Sequence, residues 1–430
     1  MLRSVPGRLA VMMFLQYFGL GAWVVPLTRY LQTLAVNGGM EFSPPQVAAV
    51  YTTFAIGALV APLVVGLLAD RWFAVERVIA ATHAAMAAVM GAAAWWCDAH
   101  DGPAADAAAA VGPLFGLLLG YAVGCQITLT LTNVIAFRNL DDRASVFWYV
   151  RLVGTFGWIV AGFVVGWALD PVSAAPLYLA AAASAFLAVF ALYLPHTPPK
   201  GYGRPVREVI GLPALKLFGN RSFVVFAVVG FVGSMMNQFY TLFTSRYLHD
   251  LGVYPDLGPL GTWKPEVVMT LAQWCEMACM AATPFLLGRL GLKRLMVVGA
   301  AGWLLRNAVL YAGGVPWVVA VALPMHGWSY AFYTLVGAHF VDREAPAHLR
   351  AGAQALVTFL SHGPAILAGN YLAGQVVAAH RVGAATDWPS VWVVPLVGYV
   401  VALVVFAALF REPPARGQRS EVRDQKDTDP

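Results

Sequence analysis

Pro195-His-Thr-Pro-Pro-Lys-Gly-Tyr-Gly-Arg-Pro-Val-Arg-Glu-Val-Ile-Gly-Leu-Pro-Ala-Leu-Lys-Leu-Phe-Gly-Asn220 is the longest connection between apolar runs in this chain, and it decides the architecture. Its prolines remove backbone donors and block helix continuation, while Lys200, Arg204, Arg207 and Lys216 are costly to place in hydrocarbon. On both sides of it, apolar runs longer than about 18 residues recur, each long enough to cross a bilayer as a helix. Cut at loop punctuation, they give about twelve predicted spans, in two sets of about six. The first set lies near 8–35, 46–69, 78–96, 111–137, 146–169 and 173–194. The second lies near 222–247, 266–288, 294–312, 315–341, 350–378 and 388–410. Residues 1–194 are thus expected to form one six-helix bundle, 195–221 a linker and 222–411 a second bundle. Residues 412–430, Pro-rich and then charged, have too little apolar content to fold and are expected to be a disordered tail.

Composition supports the same class. Of 430 residues, 60% are hydrophobic and 11% charged, with a mean hydropathy of +0.68. Soluble domains carry roughly a quarter charged residues, so a water-facing surface cannot be built from this chain. The expected fold class is an all-α integral membrane protein.

Positive charge reports topology. The first span follows Arg3 and Arg8, is too long for a signal h-region and lacks a small-residue cleavage site, so it reads as a retained anchor with the N-terminus in the cytoplasm. Alternate loops should then differ in Lys and Arg, and they do. The side opposite the termini holds only Arg29, Arg246, Lys264 and Arg381, and Arg151 and Arg306 fall within spans. All other members of the 27 lie on the terminal side, which places both termini in the cytoplasm of a multi-pass inner-membrane protein. Basic residues scattered over short loops give no nucleic-acid stripe. Cys97, Cys125, Cys275 and Cys279 show neither CxxC spacing nor His partners, so no metal or cofactor is expected, and the three that lie inside apolar segments read as small core residues.

The two halves also carry equivalent loops, Gly66-Leu-Leu-Ala-Asp70-Arg71 and Gly288-Arg289-Leu-Gly-Leu-Lys293-Arg294, each after the second span of its half. That equivalence fits duplicated six-helix units of the parallel-repeat transporter plan.

A charged side chain at bilayer depth costs roughly 2.5–3.5 kcal/mol, so those retained there face a cavity or a partner. Arg151, Thr155 and Trp158 share one helix face in the fifth span, and Gln273 precedes Glu276 by about one turn in the eighth. Glu276 reads as the only carboxylate deep within a span. Asn237, Gln238 and Thr241 cluster in the seventh span, and His326 and Tyr330 are i and i+4 in the tenth. Weaker stripes are Gln126, Thr130 and Asn133 in the fourth span and Gln354, Thr358, Ser361 and His362 in the eleventh. Arg306 reads as a snorkelling or structurally paired residue, and Gly154, Gly162 and Gly166 as close-packing positions. Arg151 and Glu276 could pair across the bundle, or Glu276 could carry protons. Amides, hydroxyls and an imidazole beside Trp158, Tyr240 and Tyr330 suit a neutral polar ligand with a ring face. A sugar, a nucleoside and an amphiphilic drug remain equally compatible, whereas no nucleophile and base recur in an enzyme-like arrangement.

Several motifs together resemble the nucleoside:proton symporters of the major facilitator superfamily. They are Phe14-Leu-Gln-Tyr-Phe-Gly-Leu-Gly-Ala-Trp23, Ala49-Val-Tyr51, Gly66 to Arg71, Arg151-Leu-Val-Gly-Thr-Phe-Gly-Trp158, Gln273-Trp-Cys-Glu276, Trp303-Leu-Leu-Arg306 and His326-Gly-Trp-Ser-Tyr330. The resemblance implies a monomeric importer in the lipid bilayer, with a nucleoside and protons as its partners and a central site between two rocking halves. It implies substrate contacts at Arg151, Thr155, Trp158, Gln238, Thr241, Gln273, Glu276, His326 and Tyr330, with proton coupling at Glu276. Thr241 stands where relatives carry asparagine. Ala331 stands where they often carry an aspartate linked to coupling, so coupling would rest on Glu276, with His326 as a second titrating group, or would be lost in a facilitator.

Overall fold

The computed structural model describes residues 4–69, 71–102, 106–140, 146–199, 211–256, 261–346, 349–383 and 385–412. Asp70, Arg143, Lys200, Arg204, Arg207, most of the expected linker and the expected disordered tail beyond 412 lie outside them. The first half contains α1 (Val5–Gln32), α2 (Pro44–Leu68), α3 (Val75–His100), α4 (Ala107–Asn139), α5 (Val146–Phe163) and α6 (Ala175–Ala191). The second contains α7 (Arg221–Asp250), α8 (Pro265–Met269), α9 (Leu271–Leu290), α10 (Leu292–Ala312), α11 (Pro316–Ala322), α12 (Met325–Ser329), α13 (Val336–Glu344), α14 (Arg350–His362), α15 (Pro364–Ala379) and α16 (Trp388–Leu409). A two-residue hairpin, β1 (Arg381–Val382) and β2 (Ala385–Thr386), precedes α16.

Helix starts follow local chemistry. Ser43 and Gln46 form a capping box at α2, and Asn220 accepts from Ser222 N at 2.8 Å to open α7. Asp106 accepts from Ala108 N and Ala109 N, each at 3.1 Å, at the start of α4. Every predicted span falls on helix, but not every span is one helix. Among the described residues, 8 helices are long and apolar enough to cross a membrane. The sixth span is a shorter helix of 17 residues. The eighth is interrupted at Thr270, the tenth at Leu323–Pro324 and again by a π-helical segment, and the eleventh at Gly363, where Pro364 begins α15 without a backbone donor.

Helices of each half pack chiefly on one another: α1 on α5 and α6, α3 on α4 and α6, and α2 on α4, against α10 on α16 and α7 on α15 and α16. Two buried apolar clusters near the terminal face belong to one half each, around Leu9, Ile79 and Leu131 and around Phe223, Met296 and Phe340. A third, at the opposite face, spans both halves, with Trp23, Tyr30 and Met90 meeting Phe243, Val268 and Trp392. The halves are therefore joined at the face opposite the termini and separate toward the terminal face.

Glycines set how closely the helices approach. A Cβ at Gly157 would collide with the Phe14 carbonyl, so α1 and α5 touch backbone to backbone. Gly162 faces Thr270, and Gly166, in the π-helical turn that continues α5, faces Val267, so this pair packs against α8 of the other half, while Gly154 faces Tyr17 of α1. Replacing Gly157 with Val should cost about 1–3 kcal/mol or more by overpacking, read as a lowered melting temperature in detergent.

Candidate functional site

Between the halves lie two adjoining chambers, of about 510 and 240 Å³, which share Val24, Trp158, Asn237, Thr241, His326 and Tyr330 as walls. The smaller is lined by Arg151 and Thr155 of α5 and Gln273 and Glu276 of α9, with Tyr17 beside them. The larger runs along α7 and α14 past Gln126, Gln354, Thr358, Ser361 and His362. Both weaker stripes thus reach the cavity, although Thr130 and Asn133 instead bond to the carbonyls of Gln126 and Leu129.

Each expected substrate residue lines one chamber or both. Gln238 reaches only the larger one, and its amide already donates to Ser234 O at 3.1 Å. Arg151 donates to Thr155 Oγ1 at 3.2 Å and lies 4.2 Å from the Tyr17 ring centroid. Glu276 and the Tyr330 hydroxyl are further electrostatic neighbours of Arg151, but no ion pair within 4.0 Å joins Arg151 to Glu276. The expected cross-bundle pair is not made. Glu276, 9% exposed, is the only carboxylate among the residues lining either chamber.

Of the two readings of Arg306, snorkelling or structural pairing, the structure shows the second. It does not snorkel: it is 0% exposed, and it donates to His326 Nδ1 at 2.9 Å and to Asn237 Oδ1 at 3.2 Å. Its guanidinium sits 4.0 Å from the Tyr240 ring centroid, and Tyr240 stacks on His326 with 4.8 Å between centroids. Since arginine only donates, Nδ1 of His326 must accept, which leaves its ring proton on Nε2. Asn237 passes the chain on, donating to Thr241 Oγ1 at 3.3 Å. The signal in the sequence was an arginine in a span, but its partners come from two other segments, α7 and α12, and no spacing encodes them.

Two further features alter expectations. Tyr330 opens a π-helical segment, Tyr330–Leu335, which shifts the following residues out of α-helical register. Ala331 belongs to the buried cluster of the second half and lines neither chamber. Glu276 is also not the only buried carboxylate of the spans, because Glu266 is 1% exposed. Its Oε2 pairs with Arg29 Nη1 at 3.3 Å, and its Oε1 accepts from Ser245 Oγ at 3.0 Å. This contact joins α1 to α7 and α8 across the two halves, on the face they share. Arg246 Nη1, donating to Gln32 O at 3.4 Å, and Lys264 Nζ, donating to Leu169 O at 3.2 Å, reinforce it.

Two helical halves around a central cavity that carries polar side chains, joined on one face, define a transporter of the major facilitator type. The chain belongs to the nucleoside H+ symporter family, whose model it matches over residues 4–415. It is 32% identical over 424 residues to YegT of Escherichia coli (strain K12), covering 94% of this chain and 93% of that one. It is 29% identical over 414 residues to the xanthosine permease of the same organism, covering 94% of each. A crystal structure of the nucleoside transporter NupG superimposes with a TM-score of 0.80 at 26% identity, covering 95% of this chain and 100% of that one. A peptide transporter structure, at 15% identity and a TM-score of 0.70, shares the fold alone.

Proposed function

We propose that this protein imports nucleosides across the inner membrane by proton symport, as a monomer with both termini in the cytoplasm. The observation that carries the reading is the single carboxylate in a cavity whose other polar groups are amides, hydroxyls, two imidazoles and one arginine, set among aromatic and aliphatic side chains. A nucleoside offers a flat base and several hydroxyls, and no charge. Trp158 and Tyr330 supply stacking surface, while Gln273, Thr155 and Thr241 supply directional hydrogen bonds. Gln238 lies at the margin of this set. His326, held by Arg306, presents Nε2–H as a fixed donor and not as a second proton carrier.

Coupling then rests on Glu276. Its protonation and the binding of nucleoside favour one another, which links the two fluxes. Residues 1–194 and 222–411 rock about the site as two bundles, and the state described here opens toward the terminal, cytoplasmic face.

Uptake of radiolabelled uridine and adenosine into proteoliposomes tests this reading. Saturable uptake, accumulated under an inward proton gradient and competed by nucleosides but not by sugars, is the expected result. Nucleoside equilibration that ignores the gradient would make the protein a facilitator, and sugar competition would replace the substrate class.

A further inference from the structure

Cys275 and Cys279 are one turn apart on α9, with their thiols 3.7 Å from one another. Both are half-buried, whereas Cys97 and Cys125 are 0% exposed. The neighbouring Trp274 is 45% exposed on the outward side of the same helix, so the pair can be reached from hydrocarbon. On its inner side Cys275 is within hydrogen-bonding reach of the Trp328 backbone. The turn that holds it, Ala272 to Glu276, is packed directly against Gly327 of α12.

Geometry restricts what this pair can bind. Helical Cβ atoms at i and i+4 are about 5–6 Å apart. A disulfide needs roughly 3.5–4.5 Å between them, so direct oxidation would require this turn to unwind. A single bridging atom with bonds of about 2.3 Å to each sulfur spans 3.7 Å at an angle of about 107°. That angle suits a pyramidal or tetrahedral centre and not a linear two-coordinate cation. Among the described residues no third His, Cys, Asp or Glu joins the pair. The ligand must therefore need only two protein donors and bring its own third substituent.

We propose that Cys275 and Cys279 form a dithiol site for monosubstituted trivalent arsenicals and like thiophiles, and that its occupation arrests transport. With an organoarsenic oxide, both S–H bonds and the As–O bond break and two S–As bonds form. The two protons leave with the oxide as water, and arsenic stays trivalent. The added substituent lies against Trp328 and stiffens the contact between α9 and α12, which carry Glu276 on one side and His326 on the other.

Phenylarsine oxide, applied to the full chain in proteoliposomes, tests the site with two readouts. Intact-mass measurement should show one adduct per chain, removed by a dithiol such as dimercaptopropanol but not by a monothiol at equal thiol concentration. Cys275→Ser and Cys279→Ser should each abolish that adduct, while Cys97→Ser keeps it. Substrate uptake should fall at least tenfold on modification of the parent and stay unchanged in the two serine variants. No dithiol-reversible adduct, or one that survives either serine substitution, overturns the site. An adduct without loss of uptake overturns the arrest. The mass readout does not depend on what is transported, so failure of the site is distinguishable from failure of the nucleoside reading.

Discussion

Glu276→Gln loses gradient-driven accumulation of nucleoside while retaining exchange of internal for external nucleoside. The amide keeps the shape and hydrogen-bonding reach of the carboxylate but exchanges no proton, so the nucleoside flux is no longer tied to the gradient. For one proton per nucleoside, a gradient of one pH unit is worth about 1.4 kcal/mol, which sets an accumulation ratio of about tenfold. The variant should sit near a ratio of one. The structure makes the expected effect large because neither chamber is lined by another carboxylate, and because Nδ1 of His326 is committed to Arg306. The fold should tolerate the change: Arg151 retains Thr155 and the Tyr17 ring, and it makes no direct ion pair with Glu276 to be broken. Accumulation in Glu276→Gln at the level of the parent, measured with the same gradient, would remove Glu276 from the coupling step. Loss of exchange along with accumulation would instead make it a binding residue only.

The distribution of what was legible in the sequence follows from the physics of the bilayer. A span must be apolar over its own length, so twelve helical regions and their loops can be read one at a time from punctuation such as Pro195 and Asn220, although the break at Gly363 inside the eleventh span was not read. The site was legible for a related reason. Arg151, Gln273 and Glu276 are expensive in lipid, and their helical spacing shows which of them share a face. What depends on two distant segments was not legible. Arg306 looked like an isolated cation because Asn237 and His326 reach it only through the packing of α7 and α12 on α10. Arg29 and Glu266 each lie near a predicted span end, where a charge needs no partner, so neither advertised the buried pair they form. The π-helical segment Tyr330–Leu335, which packs against α10, has no composition of its own that marks it in the sequence.

Single substitutions at Arg29 or Glu266 should open the face that the halves now share. The pair is buried to 6% and 0% side-chain exposure, and its two members belong to different halves. Removing one partner of a buried pair leaves an uncompensated charge, at a cost of about 3–5 kcal/mol. That charge regains water only when the halves part at this face, so the cost falls on the closed state and not on the open one. A bias of about 3 kcal/mol is roughly two decades in the conformational equilibrium. Arg29→Met and Glu266→Gln should therefore both shift the population toward opening at the opposite face, and both should slow net uptake, because the state that opens toward the termini becomes scarce. The double variant Arg29→Met/Glu266→Leu leaves no orphan charge and should close again, since buried ion pairs replaced whole by apolar groups are often neutral in stability. Thr270→Cys reports the state directly: Thr270 is 2% exposed, and Gly162 lies against it in the shared face. A membrane-impermeant maleimide added on that side should label Thr270→Cys slowly in the parent and the double variant and at least tenfold faster in each single variant. Equal labelling rates in all four backgrounds would show that the apolar cluster around Trp23, Phe243 and Val268 holds the face shut without help from the ion pair.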